Sequence, residues 1–157
     1  MTVEVGFTLN GEDVHTSVEG DELLADCLRE RMGRTGTVLG CREGVCGSCN
    51  VLIDGTVTRS CLVLAAQIEG CDVVTVEGLV SDDSLSPLQR AFVDEGAVQC
   101  GFCTPGLLIA ATALLEERPS PTRAEIVEAL SGNLCRCTGY VKVVRAVEVA
   151  AGGGQGS

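Results

Sequence analysis

The sequence predicts an α+β protein, with a small β-sheet in the first half and helices in the second. Apolar and polar residues alternate with a period of two near the N-terminus, and Asn-Gly and Asp-Gly pairs mark hairpin turns. Beyond about residue 85, Ala- and Leu-rich stretches with helix start and stop signals replace this alternation. The change falls at residues 77–84. We therefore predict a sheet domain at 1–78, a helical domain at 79–150 and a flexible Gly-rich tail at 151–157.

The strands of the first half are predicted from alternation and from turn residues. Apolar side chains occupy every second position from Val3 to Leu9, and Asn10-Gly11 then favours a return strand. Asp54-Gly55 marks a second hairpin in the same way. Apolar residues between Asp21 and Arg31 fall on one helical face. The expected elements are strands at 3–9, 13–18, 50–53, 56–60 and 72–76, and a helix at 21–31.

The helices of the second half are predicted from their ends. Thr104 is a candidate cap with Pro105 at the first helical position, and Pro119 and Pro121 end that helix. Thr122-x-x-Glu matches a capping box at the start of the next helix. The expected helices span 87–93, 104–117, 122–132 and 140–150.

Composition limits the classes of function. The chain has 157 residues, ten cysteines and a net charge of −11, so nucleic-acid binding, which needs clustered Lys and Arg, is not expected. No apolar stretch reaches the length of a membrane helix, and the N-terminus lacks the pattern of a secretory signal. We expect a cytoplasmic protein without membrane insertion. In a reducing compartment, many cysteines indicate metal or redox chemistry rather than disulfides.

The first cysteine set follows the pattern C-x4-C-x2-C with a distant fourth cysteine, which is the plant-type 2Fe–2S spacing. Its members are Cys41, Cys46, Cys49 and Cys61. Gly44 and Gly47 allow the loop to turn backbone N–H groups toward the sulfur atoms. Cys61 is expected on the far strand of the second hairpin. Zinc sites favour paired CxxC motifs and often histidine, so the spacing favours an iron–sulfur cluster over zinc.

The second cysteine set combines a CxxC motif with a later CxC motif. Its members are Cys100, Cys103, Cys135 and Cys137. Each pair precedes a predicted helix, whose free N–H groups and dipole favour an anionic centre. Spacing alone leaves two alternatives open here, a second cluster or a four-cysteine zinc site. Of the remaining candidates, Cys27 is expected in the core, Cys71 as a bystander and His15 on a surface strand.

Three strings together resemble one known family. They are the residues around Cys41 to Cys49, Gln99-Cys-Gly-Phe-Cys-Thr-Pro-Gly106, and Gly132-Asn-Leu-Cys-Arg-Cys-Thr-Gly-Tyr140. They are similar to the iron–sulfur subunit of the xanthine dehydrogenase and aldehyde oxidase family of molybdenum hydroxylases, over residues 3–149. The second and third strings are the more specific, and they favour a cluster over zinc at the second site.

The resemblance implies a β-grasp ferredoxin domain followed by a four-helix bundle. It further implies that the first cysteine set holds an outer 2Fe–2S cluster and the second set an inner one. Gln99 and Cys137 match the positions that approach the pterin of a partner subunit. Many relatives have Gly where this chain has Arg42 and Val45, and Thr in place of Asn50; we expect these differences to affect potential or docking rather than cluster binding. A cation at Arg42 is expected to raise the outer cluster's potential.

The resemblance also implies the partners. They are a large subunit with molybdopterin, expected as the cytosine dinucleotide, and a medium subunit with FAD, in a heterotrimer or a dimer of heterotrimers. Substrate is hydroxylated with oxygen from water on the large subunit, and this chain passes the electrons from the inner to the outer cluster. No catalytic residue is expected here, since the sequence has no dinucleotide fingerprint, P-loop or nucleophile–base pair. The rival hypotheses are a free-standing ferredoxin and a zinc-stabilised interaction module.

Overall fold

The computed structural model of the chain describes residues 1–80 and 84–153, and it has the predicted α+β architecture. One sheet has the strand order β2-β1-β5-β3-β4. Strands β1 and β5 are parallel, and the other neighbours pair in antiparallel fashion. The strands are β1 (Thr2–Leu9), β2 (Glu12–Glu19), β3 (Asn50–Ile53), β4 (Thr56–Arg59) and β5 (Asp72–Val74).

The sheet core follows from the alternation in β1. Val5, Phe7 and Leu9 are buried, and the residues between them are not. They pack with the buried residues Leu24, Cys27 and Leu28 of a helical segment. The predicted helix at 21–31 is in fact a short α-helix, α1 (Leu24–Asp26), that continues as a π-helical turn (Cys27–Arg31). The predicted place of Cys27 in the core is confirmed, since its side chain is fully buried.

The second half contains helices α2 (Pro87–Asp94), α3 (Thr104–Glu117), α4 (Arg123–Leu130) and α5 (Val141–Glu148), which share a second apolar core. Thr122 and Glu125 form the predicted capping box of α4. The predicted cap of α3 is wrong: Cys103 occupies the N-cap position and Thr104 is the first helical residue, without a capping hydrogen bond. No helix within the described ranges is long and apolar enough to cross a membrane.

Several predicted boundaries move in the structure. Strand β4 ends at Arg59, so Cys61 lies in the 3-10 turn Ser60–Leu62 and not on the strand as expected. Helix α5 begins after Tyr140, which is left-handed (φ 67°), and continues as a π-helical turn, Val149–Gly153. The predicted flexible tail therefore starts within helical structure, and its residues 154–157 lie outside the described ranges. Residues 81–83 of the predicted boundary also lie outside them.

The sheet and the helices meet where α3 packs on β3 and β4. A Cβ on Gly106 of α3 would lie 2.2 Å from the carbonyl oxygen of Gly47, so only glycine permits this approach. Gly47 has a φ of 74°, and a Cβ added to it would lie 2.5 Å from the carbonyl oxygen of Gly132. This contact brings the loops that carry the two cysteine sets together.

Candidate metal centres

The first cysteine set is organised by a loop with an unusual backbone. Arg42, Gly44 and Gly47 have positive φ angles of 57°, 76° and 74°. This conformation directs the amides of Glu43 and Cys46 toward the sulfur of Cys41, at 3.3 and 3.4 Å. The predicted arrangement of inward N–H groups is therefore confirmed.

Cys49 and Cys61 complete this set. Both are buried and pack with Ala25 and Leu39. The Ser60 hydroxyl donates to the carbonyl oxygen of Cys49 at 2.7 Å, which ties the 3-10 turn to the loop.

The environment acts oppositely on the two ends of this set. The amides of Cys46 and Glu43 lower the pKa of Cys41 to about 6, because they stabilise its thiolate. Burial, followed by the hydrogen bond with Cys49, raises the pKa of Cys61 to about 11. The Gly44 amide opposes this rise in the pKa of Cys61. The loop therefore stabilises negative charge at Cys41.

The second cysteine set joins the start of α3 to the loop before α5. Cys137 donates to the sulfur of Cys100 at 3.4 Å, and both residues are exposed. Cys103 is buried, and it lines one cavity together with Cys100, Cys135 and Cys137. The structure therefore brings all four members together.

These thiols again differ in pKa. The amide of Phe102 and then the thiol of Cys137 lower the pKa of Cys100. Burial raises the pKa of Cys103 to about 12. Burial also acts on Cys135, but the hydroxyl and amide of Thr138 outweigh it and lower the pKa of Cys135 to about 7. The protein thus favours the charged form of two of these thiols, Cys100 and Cys135.

Tyr140 holds the CxC loop, a role that was not predicted from the sequence. Its hydroxyl accepts from the amide of Cys135 at 2.7 Å and donates to the carbonyl oxygen of Asn133 at 3.0 Å. Its own amide donates to Thr138 at 3.2 Å. The left-handed backbone of Tyr140 makes these contacts possible. The available signal was its position directly after the Thr-Gly pair of the motif.

Gln99 and Cys137, the two residues expected to approach a pterin, lie together. The Gln99 side-chain amide donates to the carbonyl oxygen of Cys137 at 3.1 Å. Both side chains are exposed on the face that carries Cys100. A partner could therefore reach this part of the site directly.

The two cysteine sets also contact each other. The amide of Leu134 donates to the carbonyl oxygen of Cys46 at 2.8 Å, so one hydrogen bond separates the first loop from the residue before Cys135. Cys46 also lines the cavity of about 600 Å³ that faces the second set. The other lining residues are Ser48, Cys100, Phe102, Cys103, Leu134, Cys135, Arg136, Cys137 and Tyr140.

A polar network supports this contact and was also missed from the sequence. Asn133 donates to the carbonyl oxygen of Gly47 at 3.1 Å, and Asn50 donates to the side-chain oxygen of Asn133 at 3.4 Å. Arg59 in turn donates to the side-chain oxygen of Asn50 at 2.6 Å. The sequence predicted for Asn50 only an effect on potential or docking, whereas its buried side chain also joins the two halves.

The remaining candidates lie apart from both sets. Cys71 is partly buried beside the sheet core, with its sulfur 4.0 Å from the carbonyl oxygen of Glu69. His15 is exposed on β2, as predicted. Across residues 1–80 and 84–153, no three His, Cys, Asp or Glu side chains surround a position for a single metal ion.

The residues fit two 2Fe–2S clusters in their donor chemistry. A cluster of this type is held by four thiolates. Here eight thiols form two groups of four, and backbone amides donate to the sulfur of one member of each group, Cys41 and Cys135. Such donors stabilise an anionic centre and adjust its potential.

Comparisons with known proteins agree with this chemistry. Residues 7–75 match a family model described as "2Fe-2S iron-sulfur cluster binding domain". Residues 75–148 match a second model, described as "[2Fe-2S] binding domain". The chain therefore contains both kinds of cluster-binding domain, and these account for almost its whole length.

Whole-chain relatives identify the family. The chain is 55% identical to the nicotine 6-hydroxylase small subunit of Paenarthrobacter nicotinovorans, over 96% of this chain and 90% of that one. It is 46% identical to the xanthine dehydrogenase iron-sulfur-binding subunit of Escherichia coli O157:H7, over 93% and 92%. The crystal structure of quinoline 2-oxidoreductase from Pseudomonas putida 86 contains a chain that is 50% identical, with a TM-score of 0.93 over 96% and 93%. The chain thus belongs to the family of 2Fe–2S electron-transfer subunits of the molybdenum hydroxylases.

Proposed function

We propose that this chain conducts electrons from a molybdopterin-containing large subunit to a flavin-containing subunit, through an inner and then an outer 2Fe–2S cluster. The inner cluster would be held by Cys100, Cys103, Cys135 and Cys137. The outer cluster would be held by Cys41, Cys46, Cys49 and Cys61. When bound, each cluster supplies one-electron redox chemistry, and no substrate is converted on this chain.

The observation that carries this proposal is the hydrogen bond from the Leu134 amide to the carbonyl oxygen of Cys46. It links a proposed ligand of the outer cluster to the residue next to Cys135, a proposed ligand of the inner one. The connection is a direct backbone contact between the two cysteine loops. A free-standing ferredoxin would need only the first cysteine set and no such link.

The direction of transfer is supported by the exposure of the second set. Cys100, Cys137 and Gln99 are exposed together, and Phe102 beside them is 50% exposed. An accessible thiol pair bordered by an apolar side chain suits close contact with a partner that excludes water. In this proposal the Gln99 side chain, which donates to the carbonyl oxygen of Cys137, would meet a pterin from the large subunit.

We further propose the finer details of the assembly. The first domain, 1–78, would be a β-grasp ferredoxin domain, and the second, 79–150, a four-helix bundle formed by α2 to α5, with 151–157 as a tail. The partners would carry molybdopterin cytosine dinucleotide and FAD, in a heterotrimer or a dimer of heterotrimers in the cytoplasm. Support comes from relatives named as subunits of dehydrogenases, including subunit gamma of caffeine dehydrogenase.

Anaerobic purification of the chain with its co-purifying partners tests the proposal. We expect four irons per chain, two distinct EPR signals on reduction, and molybdenum and FAD in larger co-purifying subunits. Two irons and a single signal would contradict the assignment of the second set. Bound zinc in a colourless protein would contradict the assignment of both cysteine sets to iron–sulfur clusters.

Serine variants test the ligand assignment. Cys46→Ser should remove the outer signal, and Cys135→Ser the inner one, because each takes away one of four thiolates. Cys71→Ser is the matched control: it removes a partly buried thiol that belongs to neither set and should leave both signals. Loss of a signal in the control, or its retention in either other variant, would contradict the assignment.

A further inference from the structure

We infer that Arg59 is a positioning residue that couples the two cluster sites, by fixing the two cysteine loops relative to each other and by placing one positive charge between them. This inference rests on the proposed function. Arg59 belongs to neither cysteine motif. It lies at the end of β4, two residues before Cys61.

The guanidinium group of Arg59 reaches both loops at once. Its Nε donates to the carbonyl oxygen of Gly44, inside the first cysteine loop, at 3.3 Å. Its Nη2 donates to the carbonyl oxygen of Gly132, at the start of the second loop, at 2.8 Å. Its Nη1 donates to Asn50 at 2.6 Å. The rigid planar fork of arginine suits three acceptors in fixed directions, whereas lysine is a point donor.

The contact with Gly44 places the positive charge of Arg59 against the first cysteine loop. Gly44 lies between Cys41 and Cys46 in the chain, and Arg59 itself lies two residues before Cys61. A positive charge at this position favours the reduced, more negative cluster.

The charge of Arg59 is not neutralised by an acidic neighbour. Its three acceptors are neutral oxygens, and within residues 1–80 and 84–153 no carboxylate forms an ion pair with it. Arg42 differs, because Asp26 holds its guanidinium through two hydrogen bonds, at 2.8 and 3.0 Å. Arg59 is partly buried, whereas Arg42 is exposed. Both hydrogen bonds of the Arg42 side chain that the described part of the chain shows go to Asp26, in the first half of the protein.

The surrounding backbone is shaped for this side chain. A Cβ on Gly132 would lie 2.6 Å from Nη2 of Arg59. A Gly132→Ala variant would therefore disturb the contact with the second loop without changing any charge. Gly132 and Arg59 thus provide two independent ways to disturb the same contact.

The test uses the holoenzyme complex, with redox titration of both clusters and EPR of the fully reduced protein. The splitting of the two signals reports the magnetic interaction between the clusters, and hence their separation and orientation. In Arg59→Gln we expect four irons and two signals, a negative shift of both potentials and an altered splitting. Arg59→Lys should restore the potentials but not the splitting. Gly132→Ala should alter the splitting with little change in potential.

Arg42→Gln is the matched control, since it removes the same charge beside the first set alone; only the outer potential should respond. The inference is overturned if Arg59→Gln keeps both clusters with unchanged potentials and splitting, or if Arg42→Gln has equal effects on both clusters. If Arg59→Gln loses its clusters, unchanged splitting in Arg59→Lys and Gly132→Ala overturns the inference. Failure of the proposed function would appear separately, as a wild-type protein with a single signal.

Discussion

The two cysteine sites each hold four thiols in place, but they use different backbone conformations. The first uses a loop of positive-φ residues that turns consecutive amides toward Cys41. The second uses the start of α3 and a loop clamped by Tyr140. The first keeps Cys49 and Cys61 buried, while the second leaves two of its four thiols exposed. The contrast shows that a site closed by its own loop can be recognised from local spacing, whereas a site open to a partner depends on contacts distant in sequence.

The largest expected effect comes from breaking the contact between the two sites. Gly106→Ala would place a Cβ 2.2 Å from the carbonyl oxygen of Gly47, in backbone that cannot move freely. Glycine to alanine within a helix normally stabilises by up to ~1 kcal/mol. Here we expect a net loss of about 1–3 kcal/mol or more from overpacking, measured as a lower Tm of the holoprotein.

Gly11→Ala separates the cost of the contact from the cost of the backbone. Gly11 has a φ of 84° and nothing within 4 Å of its Cβ position, so this variant has only the left-handed penalty of about 1–2 kcal/mol. It should leave both EPR signals unchanged. If the Gly106→Ala protein is as stable as wild type, the close contact between the two halves does not contribute to stability.

Tyr140→Phe sharpens the contrast at the second site. The variant removes the hydroxyl that joins the Cys135 amide to the Asn133 carbonyl, and it keeps the ring. We expect a loss of about 1–3 kcal/mol, because two partly buried backbone groups lose their partner. Iron should be released faster from the inner site only. Equal release from both sites, measured by the decay of each EPR signal, would contradict a local clamp.

Asp26→Asn sharpens the contrast at the first site. It frees Arg42 from its ion pair, so the guanidinium charge should favour the reduced outer cluster. We expect a small positive shift of the outer potential in a redox titration, because the pair is exposed and screened by solvent. The inner potential should not move. A shift that is equal at low and high salt would contradict this electrostatic origin.

The smallest effect concerns the capping box of α4 in the helical half. The amide and hydroxyl of Thr122, with Arg118, lower the pKa of Glu125. A lowered pKa means that the stabilisation is present above the ordinary glutamate value of 4.5 and is lost as pH falls through the lowered pKa. Glu125→Gln should therefore lower the Tm slightly at neutral pH and make no difference in acid. Glu128→Gln, an exposed glutamate on the same helix, is the control.

The sequence predicted most of the secondary structure because the signals were local. Alternation marked β1, and the turns at Asn10 and Asp54 adopt the expected positive φ angles. Predictions failed where tertiary contacts changed a local preference. Thr104 does not cap α3, and the segment after α1 widens into a π turn, since the Met32 amide donates to the carbonyl oxygen of Cys27.

The membership of the two cysteine sites was also predicted from the sequence, but the residues that join the sites were not. Spacing grouped the cysteines, and the structure brings the members of each group together. Arg59 gave no comparable signal, because an arginine before a cysteine has no fixed chemical meaning in a sequence. Its role depends on Gly44 and Gly132, which are 88 residues apart in the chain (132 − 44) and are both reached by one side chain.

The sequence by itself determined the α+β class, the two cysteine sets and the redox chemistry that they indicate. Ligand spacing, turn residues and helix ends are set by a few neighbouring residues, and their physical reasons are local. Only the tertiary structure decided how close the two sets lie and what joins them. That distance depends on glycines that admit a carbonyl oxygen, and on one guanidinium group that finds acceptors from both halves. Such complementarity exists only after the chain has folded.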